Sequence, residues 1–180
     1  ITVKGEIKAT NATDNSGEIV IDNNLTVKKA DGATSAVLNA NKDGANAPAT
    51  THRIFKVASG KTLTLENLTI KGGKPDGSDE GGNGGAIFAK GGTLNMTNCE
   101  VKGNKADNGG GGGIYATDDG STVSSVTISD STIGGTGADK NESGNHDSGG
   151  GLCIGDSCSL TMKNTKVIGN KSDLTGGGIY

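Results

Sequence analysis

One phrase recurs along this chain in fixed order with others. Gly84-Gly85-Ala86-Ile87 returns as Gly111-Gly112-Gly113-Ile114, Gly149-Gly150-Gly151-Leu152 and Gly176-Gly177-Gly178-Ile179. A second phrase alternates with it: Leu63-x-Leu65-x-Asn67, Leu94-x-Met96-x-Asn98, Val126-x-Ile128-x-Asp130 and Leu160-x-Met162-x-Asn164. A third follows three residues later, at Ile70, Val101, Ile133 and Val167. Repeats of this period are structural units that bury an apolar face only by stacking on their neighbours.

Composition excludes several other solutions. The 180 residues suit one domain, but 33 glycines, two Tyr, two Phe and no Trp cannot build an ordinary aromatic core. A disordered chain would need no regularly placed Ile, Leu and Val. Collagen needs glycine at every third position, and these glycines are clustered. No stretch is long and apolar enough for a membrane-spanning helix. No signal-peptide pattern opens the chain, which starts inside a β-like phrase and stops inside a repeat, so we expect a fragment of a longer protein. The net charge of −3, the single arginine and the scattered lysines point away from nucleic acid.

The apolar phrases alternate with period two, as strands do. Thr62-Leu63-Thr64-Leu65, Thr93-Leu94-Asn95-Met96 and Ser159-Leu160-Thr161-Met162 put successive side chains on opposite faces. No segment combines a helical period with caps. Leu63, Leu94, Val126 and Leu160 are 31, 32 and 34 residues apart, and length varies at 117–123 and 134–148. One turn of a coil is therefore expected to hold a strand after the glycines, a strand at Leu-x-Met, a corner at Asn or Asp, and a strand at Val or Ile. A long polar loop should complete the turn, leaving 74–82, 105–110 and 134–148 outside the rod. Five to six rungs would make a rod roughly 25 Å long.

The first sixty residues fit more loosely. Ile19-Val20-Ile21 with Leu25-x-Val27 resembles the second and third phrases, and Ile54-Phe55-Lys56-Val57 sits where Ile87-Phe88-Ala89 sits in the next repeat. Glycine before each inward Ile or Leu suits a corner with positive φ or a close backbone approach. Asn67, Asn98, Asp130 and Asn164 are the repeat corner residues. They suit turns through local backbone bonds, or they form a ladder between rungs.

Gly84-Gly85-Ala86-Ile87 resembles the Gly-Gly-Ala-Ile half of the repeat in chlamydial polymorphic outer membrane proteins and related bacterial surface proteins. The other half there is Phe-x-x-Asn. Val101-Lys102-Gly103-Asn104 and Val167-Ile168-Gly169-Asn170 are similar, with Val replacing Phe. The resemblance covers 61–180 directly. It implies an all-β, right-handed parallel β-helix (a solenoid), of the kind found as autotransporter passengers displayed on the bacterial cell surface and linked to adhesion.

Carbohydrate-active lyases and hydrolases share this fold class, so enzyme chemistry is a competing expectation. It needs paired carboxylates, or a calcium cluster with a base. The acids lie mainly in loops: Asp76, Asp79 and Glu80; Asp118 and Asp119; Asp139, Glu142 and Asp147. Arg53 has no second arginine, and His52 and His146 have no nucleophile phrase nearby. Asp76-Gly77-Ser78-Asp79-Glu80 lacks the spacing of known calcium loops. Cys153 and Cys158 either close a small-loop disulfide or remain two thiols, and Cys99 lies just past a corner. The expectation is a non-enzymatic extracellular segment without cofactor or metal. It displays polar loops to a host-cell, matrix or glycan receptor and does not insert into membrane. A plain stalk and the non-catalytic part of a carbohydrate-active enzyme are the alternatives.

Overall fold

A computed structural model describes every residue except 13–16, 78 and 145–146, and the side chains of 79 and 80. The chain winds into a parallel β-solenoid of about five turns. Four parallel sheets run along it. Sheet 1 contains Ile19–Ile21, Phe55–Val57, Ile87–Lys90, Ile114–Thr117 and Leu152–Ile154. Sheet 2 contains Thr2–Val3, Leu25–Lys29, Thr62–Glu66, Thr93–Thr97, Ser125–Ser129 and Ser159–Lys163. Sheet 3 contains Gly5–Lys8, Ala36–Asn39, Thr69–Lys71, Glu100–Lys102, Thr132–Gly134 and Lys166–Ile168. Sheet 4 contains Lys105–Ala106, Glu142–Ser143 and Lys171–Ser172.

The period-two alternation becomes columns. Leu25, Leu63, Leu94, Val126 and Leu160 are register partners, as are Val27, Leu65, Met96, Ile128 and Met162. Leu38, Ile70, Val101, Ile133 and Val167 form the sheet 3 column. From Leu63 to Ile133 these side chains are 0–1% exposed and share one core. Aliphatic residues suffice because each is enclosed by neighbours above and below as well as across the coil.

The glycine phrase does two jobs. Gly84, Gly111, Gly149 and Gly176 have φ between 62° and 72°, the left-handed region a side chain opposes. At the next position a Cβ on Gly85 would land on the Gly112 carbonyl oxygen, and one on Gly112 on the Gly150 carbonyl oxygen. These segments stack rung on rung instead: Gly85 N donates to Gly111 O at 2.9 Å, and Gly112 N to Gly149 O at 3.0 Å.

Three expectations are corrected. The stretches before Gly111, Gly149 and Gly176 are not free loops, because sheet 4 runs through them and buries Ala106 and Ser143. Pro75, Gly82, Gly109 and Gly110 are also buried, so 74–82, 105–110 and 134–148 leave the rod only in part. At the N-terminal end, Ile19–Ile21 pairs with Phe55–Val57 in sheet 1, not sheet 2. Leu25–Lys29 then takes the second phrase's place and Ala36–Asn39 the third's.

Candidate binding surfaces

The corner residues are where the spacing placed them. Asn67, Asn98, Asp130 and Asn164 have φ of 59°, 53°, 51° and 49°, a conformation Asn and Asp tolerate better than other side chains. Their exposed side chains form two pairs rather than a ladder. Asn98 Nδ2 donates to Asn67 Oδ1 at 2.6 Å, and Asn164 Nδ2 to Asp130 Oδ1 at 3.1 Å. Asn98 and Asn164 each donate to the preceding rung, and Asp130 has no amide to offer Asn98.

A continuous ladder lies elsewhere, in the interior. Asn104 Nδ2 donates to Asn141 Oδ1 at 2.9 Å, and Asn141 Nδ2 to Asn170 Oδ1 at 3.0 Å. The same amides cap strand carbonyls at Ile70, Val101 and Ile133. Gly73 N donates to Asn104 Oδ1 at 2.9 Å and extends the stack by one rung. Asn104 and Asn170 close the two Val-x-Gly-Asn phrases, whereas Asn141 is displaced by inserted residues and was not foreseen.

Arg53 and His52 have structural roles. Phe88 points away from the main core yet is 0% exposed. The Arg53 guanidinium lies 5.0 Å above its ring, and Tyr115 packs at 5.8 Å between centroids. Arg53 also pairs with Glu18 at 3.1 Å and donates to the Gly81 carbonyl. His52 Nδ1 donates to the Arg53 carbonyl at 2.6 Å. His146 and Ser78 lie outside the described residues, as do the side chains of Asp79 and Glu80.

Cys99, Cys153 and Cys158 are unbridged thiols in the structure. Cys153 is buried, pairs in register with Tyr115, and has its Sγ beside Gly110. Burial, then the Asp147 carboxylate, pushes the Cys153 thiol up to about 11. Burial also raises the Cys99 thiol. Neither thiol ionises readily at neutral pH, so neither is an activated nucleophile.

Two of the concave surfaces gather candidate side chains. Beside sheet 1 a cleft of about 490 Å³ is lined by Tyr115, Tyr180, Cys153, Asn83, Asn108 and Asp147. Beside sheet 4 a trough of about 400 Å³ collects Lys105, Asp107, Glu142, Lys171 and Asp173. Its charges neutralise one another. Asp107 accepts from Lys105 at 2.7 Å and Lys74 at 3.0 Å, Glu142 pairs with Lys140 at 2.7 Å, and Asp173 with Lys171 at 3.8 Å. Burial works against ionised Asp107, but its two lysines outweigh that and hold the carboxyl below its usual range. Such a carboxylate is poorly suited to protonate a leaving group at neutral pH.

Among the other acids, Asp139 and Glu100 pair with Lys102 at 3.5 and 3.1 Å. Asp119 closes its own turn, accepting from Ser121 N at 2.8 Å and Thr122 N at 2.6 Å. The Ser59 hydroxyl and those amides hold its carboxyl at about 2. Among the described residues no group of three or more His, Cys, Asp or Glu is placed to hold a metal ion. Among the described residues no helix is long and apolar enough to cross a membrane. Comparison with family models, curated proteins and solved structures gave no match.

Proposed function

We propose that this chain is a display segment of a bacterial cell-surface or secreted protein, extracellular and non-enzymatic, whose loops adhere by many weak contacts. One observation supports the reading most. The inward columns keep aliphatic character from rung to rung while the excursions differ in length and charge, from Asp118–Val123 to Gly135–Lys140. A scaffold held constant beneath variable polar loops suits presentation. A stiff rod fixes the loops relative to one another, so simultaneous contacts add without fresh ordering cost. The Gly-Gly-Ala-Ile and Val-x-Gly-Asn phrases, similar to those of polymorphic outer membrane proteins, point the same way. The partner would be a host-cell, matrix or glycan receptor.

The test is to present the chain densely on beads and measure binding to cultured host cells, matrix proteins and a glycan panel. Retention on at least one, with only weak binding of the soluble monomer, is expected. No retention at any density would leave a plain stalk. Turnover of an acidic polysaccharide, abolished by one carboxylate substitution, would make the chain part of an enzyme.

A further inference from the structure

Of the two Phe and two Tyr in this chain, only Phe55 joins the main core. The other three stand in one outward column of sheet 1. Lys56, Phe88, Tyr115 and Cys153 are register partners there. Ile179 bridges to Leu152, so Tyr180 continues the column one rung beyond Cys153. Strand preference alone would spread aromatic residues over all the sheets. Sheets 2 and 3 have more strands than sheet 1 and no aromatic residue in any of them.

The column is open only in part. Arg53 covers Phe88, whereas Tyr115 is half-buried and Tyr180 is exposed. Both tyrosines border the cleft of about 490 Å³, a volume usual for a small-molecule site. Its other polar groups come from three successive rungs, each just ahead of a glycine phrase: Asn83, Asn108 and Asp147. The backbone holds these segments together. Gly84 N donates to Gly110 O at 3.0 Å, and Gly111 N to Ser148 O at 3.1 Å. Gly110 N also donates to Asn83 Oδ1 at 2.9 Å, which fixes that amide and leaves its Nδ2 as a donor. Phe88 packs against the Tyr115 ring at a tilt of 55°, and a Cβ on Gly110 would meet that ring at 3.1 Å. The cleft is therefore formed before any ligand arrives, which lowers the ordering cost of binding.

The lining selects a chemistry. It contains no lysine or arginine, and Asp147 is its one acid, so an anionic ligand is disfavoured. Burial, then Cys153 and Asp147, raise the Tyr115 hydroxyl, which stays protonated and can donate. Aromatic faces beside amides, hydroxyls and a carboxylate match a molecule with apolar C–H faces and hydroxyls at its rim. Tyr115 and Tyr180 lie two strand spacings apart, about 9.6 Å, so one sugar ring cannot cover both and a chain of sugars can.

We propose that this cleft binds a neutral oligosaccharide, with one sugar ring stacked on Tyr115 and another on Tyr180. The inference rests on the display reading and commits its partner to an uncharged glycan. Each copy offers one weak site, and copies held side by side add.

The whole chain reports on the site itself, because it has no tryptophan and both of its tyrosines line the cleft. Tyrosine emission should be followed during titration with lacto-N-tetraose, cellotetraose, chitotetraose and maltotetraose, and with tetragalacturonate as the acidic counterpart. A saturable change is expected with at least one neutral sugar, and weaker or no binding of the acidic one. By calorimetry, Tyr115→Ala should weaken that binding about fivefold or more, as truncation of a stacking ring does. Tyr115→Phe keeps the ring and should lose less. Tyr180→Ala, at an exposed position, should also weaken binding and serves if Tyr115→Ala fails to fold. Lys56→Ala, in the same column but outside the cleft, should bind as the parent does. No saturable change with any neutral sugar overturns the proposal, as does tighter binding of tetragalacturonate. Undiminished binding by a folded Tyr115→Ala or Tyr180→Ala variant overturns it as well. Beads that are retained on cells or matrix while the chain binds no neutral sugar would overturn this site and leave display standing. Sugar binding in the cleft without bead retention on cells or matrix would uphold the site and count against display.

Discussion

Replacing Asn141 with alanine tests whether the buried asparagine ladder holds the turns together. Asn141 is fully buried and makes four side-chain hydrogen bonds: to Val101 O at 2.8 Å, to Asn170 Oδ1 at 3.0 Å, and from Asn104 N and Nδ2 at 3.1 and 2.9 Å. Alanine leaves the Asn104 N–H without an acceptor and strips the amide donor from the Val101 carbonyl. The carbonyl keeps its ladder bond in sheet 3, whereas a buried N–H without a partner costs about 1–3 kcal/mol. That is a large share of the roughly 5–15 kcal/mol that holds a domain together. Urea unfolding followed by far-UV circular dichroism should show a lower midpoint. Asn98→Gly is the control: its one side-chain bond is exposed, and glycine accepts its φ of 53° without strain. It should cost no more than about 1 kcal/mol. Equal losses in the two variants, or an Asn141→Ala midpoint matching the parent's, would refute the ladder's role.

Three further outcomes follow from the same packing. Ile128→Asp puts a carboxylate into a fully buried column and should cost several kcal/mol in urea unfolding, whereas parental stability would mean that Ile128 faces out. Deleting 136–140 brings Gly135 next to Asn141 and restores the Val-x-Gly-Asn spacing of Asn104 and Asn170, so stability should change by about 1 kcal/mol or less; unfolding would show that this excursion is part of the core. Asp107 has its folded pKa held below the unfolded value by Lys105 and Lys74, so its contribution is present above about pH 4 and is lost as pH falls through the lowered pKa. The hydrogen bond with Asp107 chiefly raises Lys105, whose contribution is present below about pH 10 and lost as pH rises through the raised pKa. Asp107→Asn should flatten both flanks of a pH–stability profile, and an unchanged profile would contradict the assignment.

Much of the fold was legible because the inward columns repeat in register. Leu63 to Leu160 and Leu65 to Met162 need only period-two alternation and a constant spacing. The glycine and Asx corners were legible because a positive φ restricts residue type. Sheet 4 was not, since a two-residue strand burying one alanine or serine has no alternation to detect. Ile19-Val20-Ile21 misled because its alternation fits sheet 1 and sheet 2 equally, and only pairing with Phe55–Val57 decides between them. Asn141 was hidden by the residues inserted between it and Ile133. The stack of Arg53 on Phe88 left no trace, because its partners Glu18 and Gly81 are distant in sequence.

The central functional claim is that binding is spread over loops fixed on a stiff rod, and valence tests it most directly. One, two and four copies of the chain in tandem should be titrated by surface plasmon resonance against whichever cell, matrix or glycan preparation retains the beads. The account predicts that apparent affinity rises by about 10²-fold or more from one copy to four, through slower dissociation. Single substitutions such as Asp173→Ala or Lys140→Ala should each change it less than about twofold. Affinity independent of copy number, or abolished by one such substitution, would contradict the account.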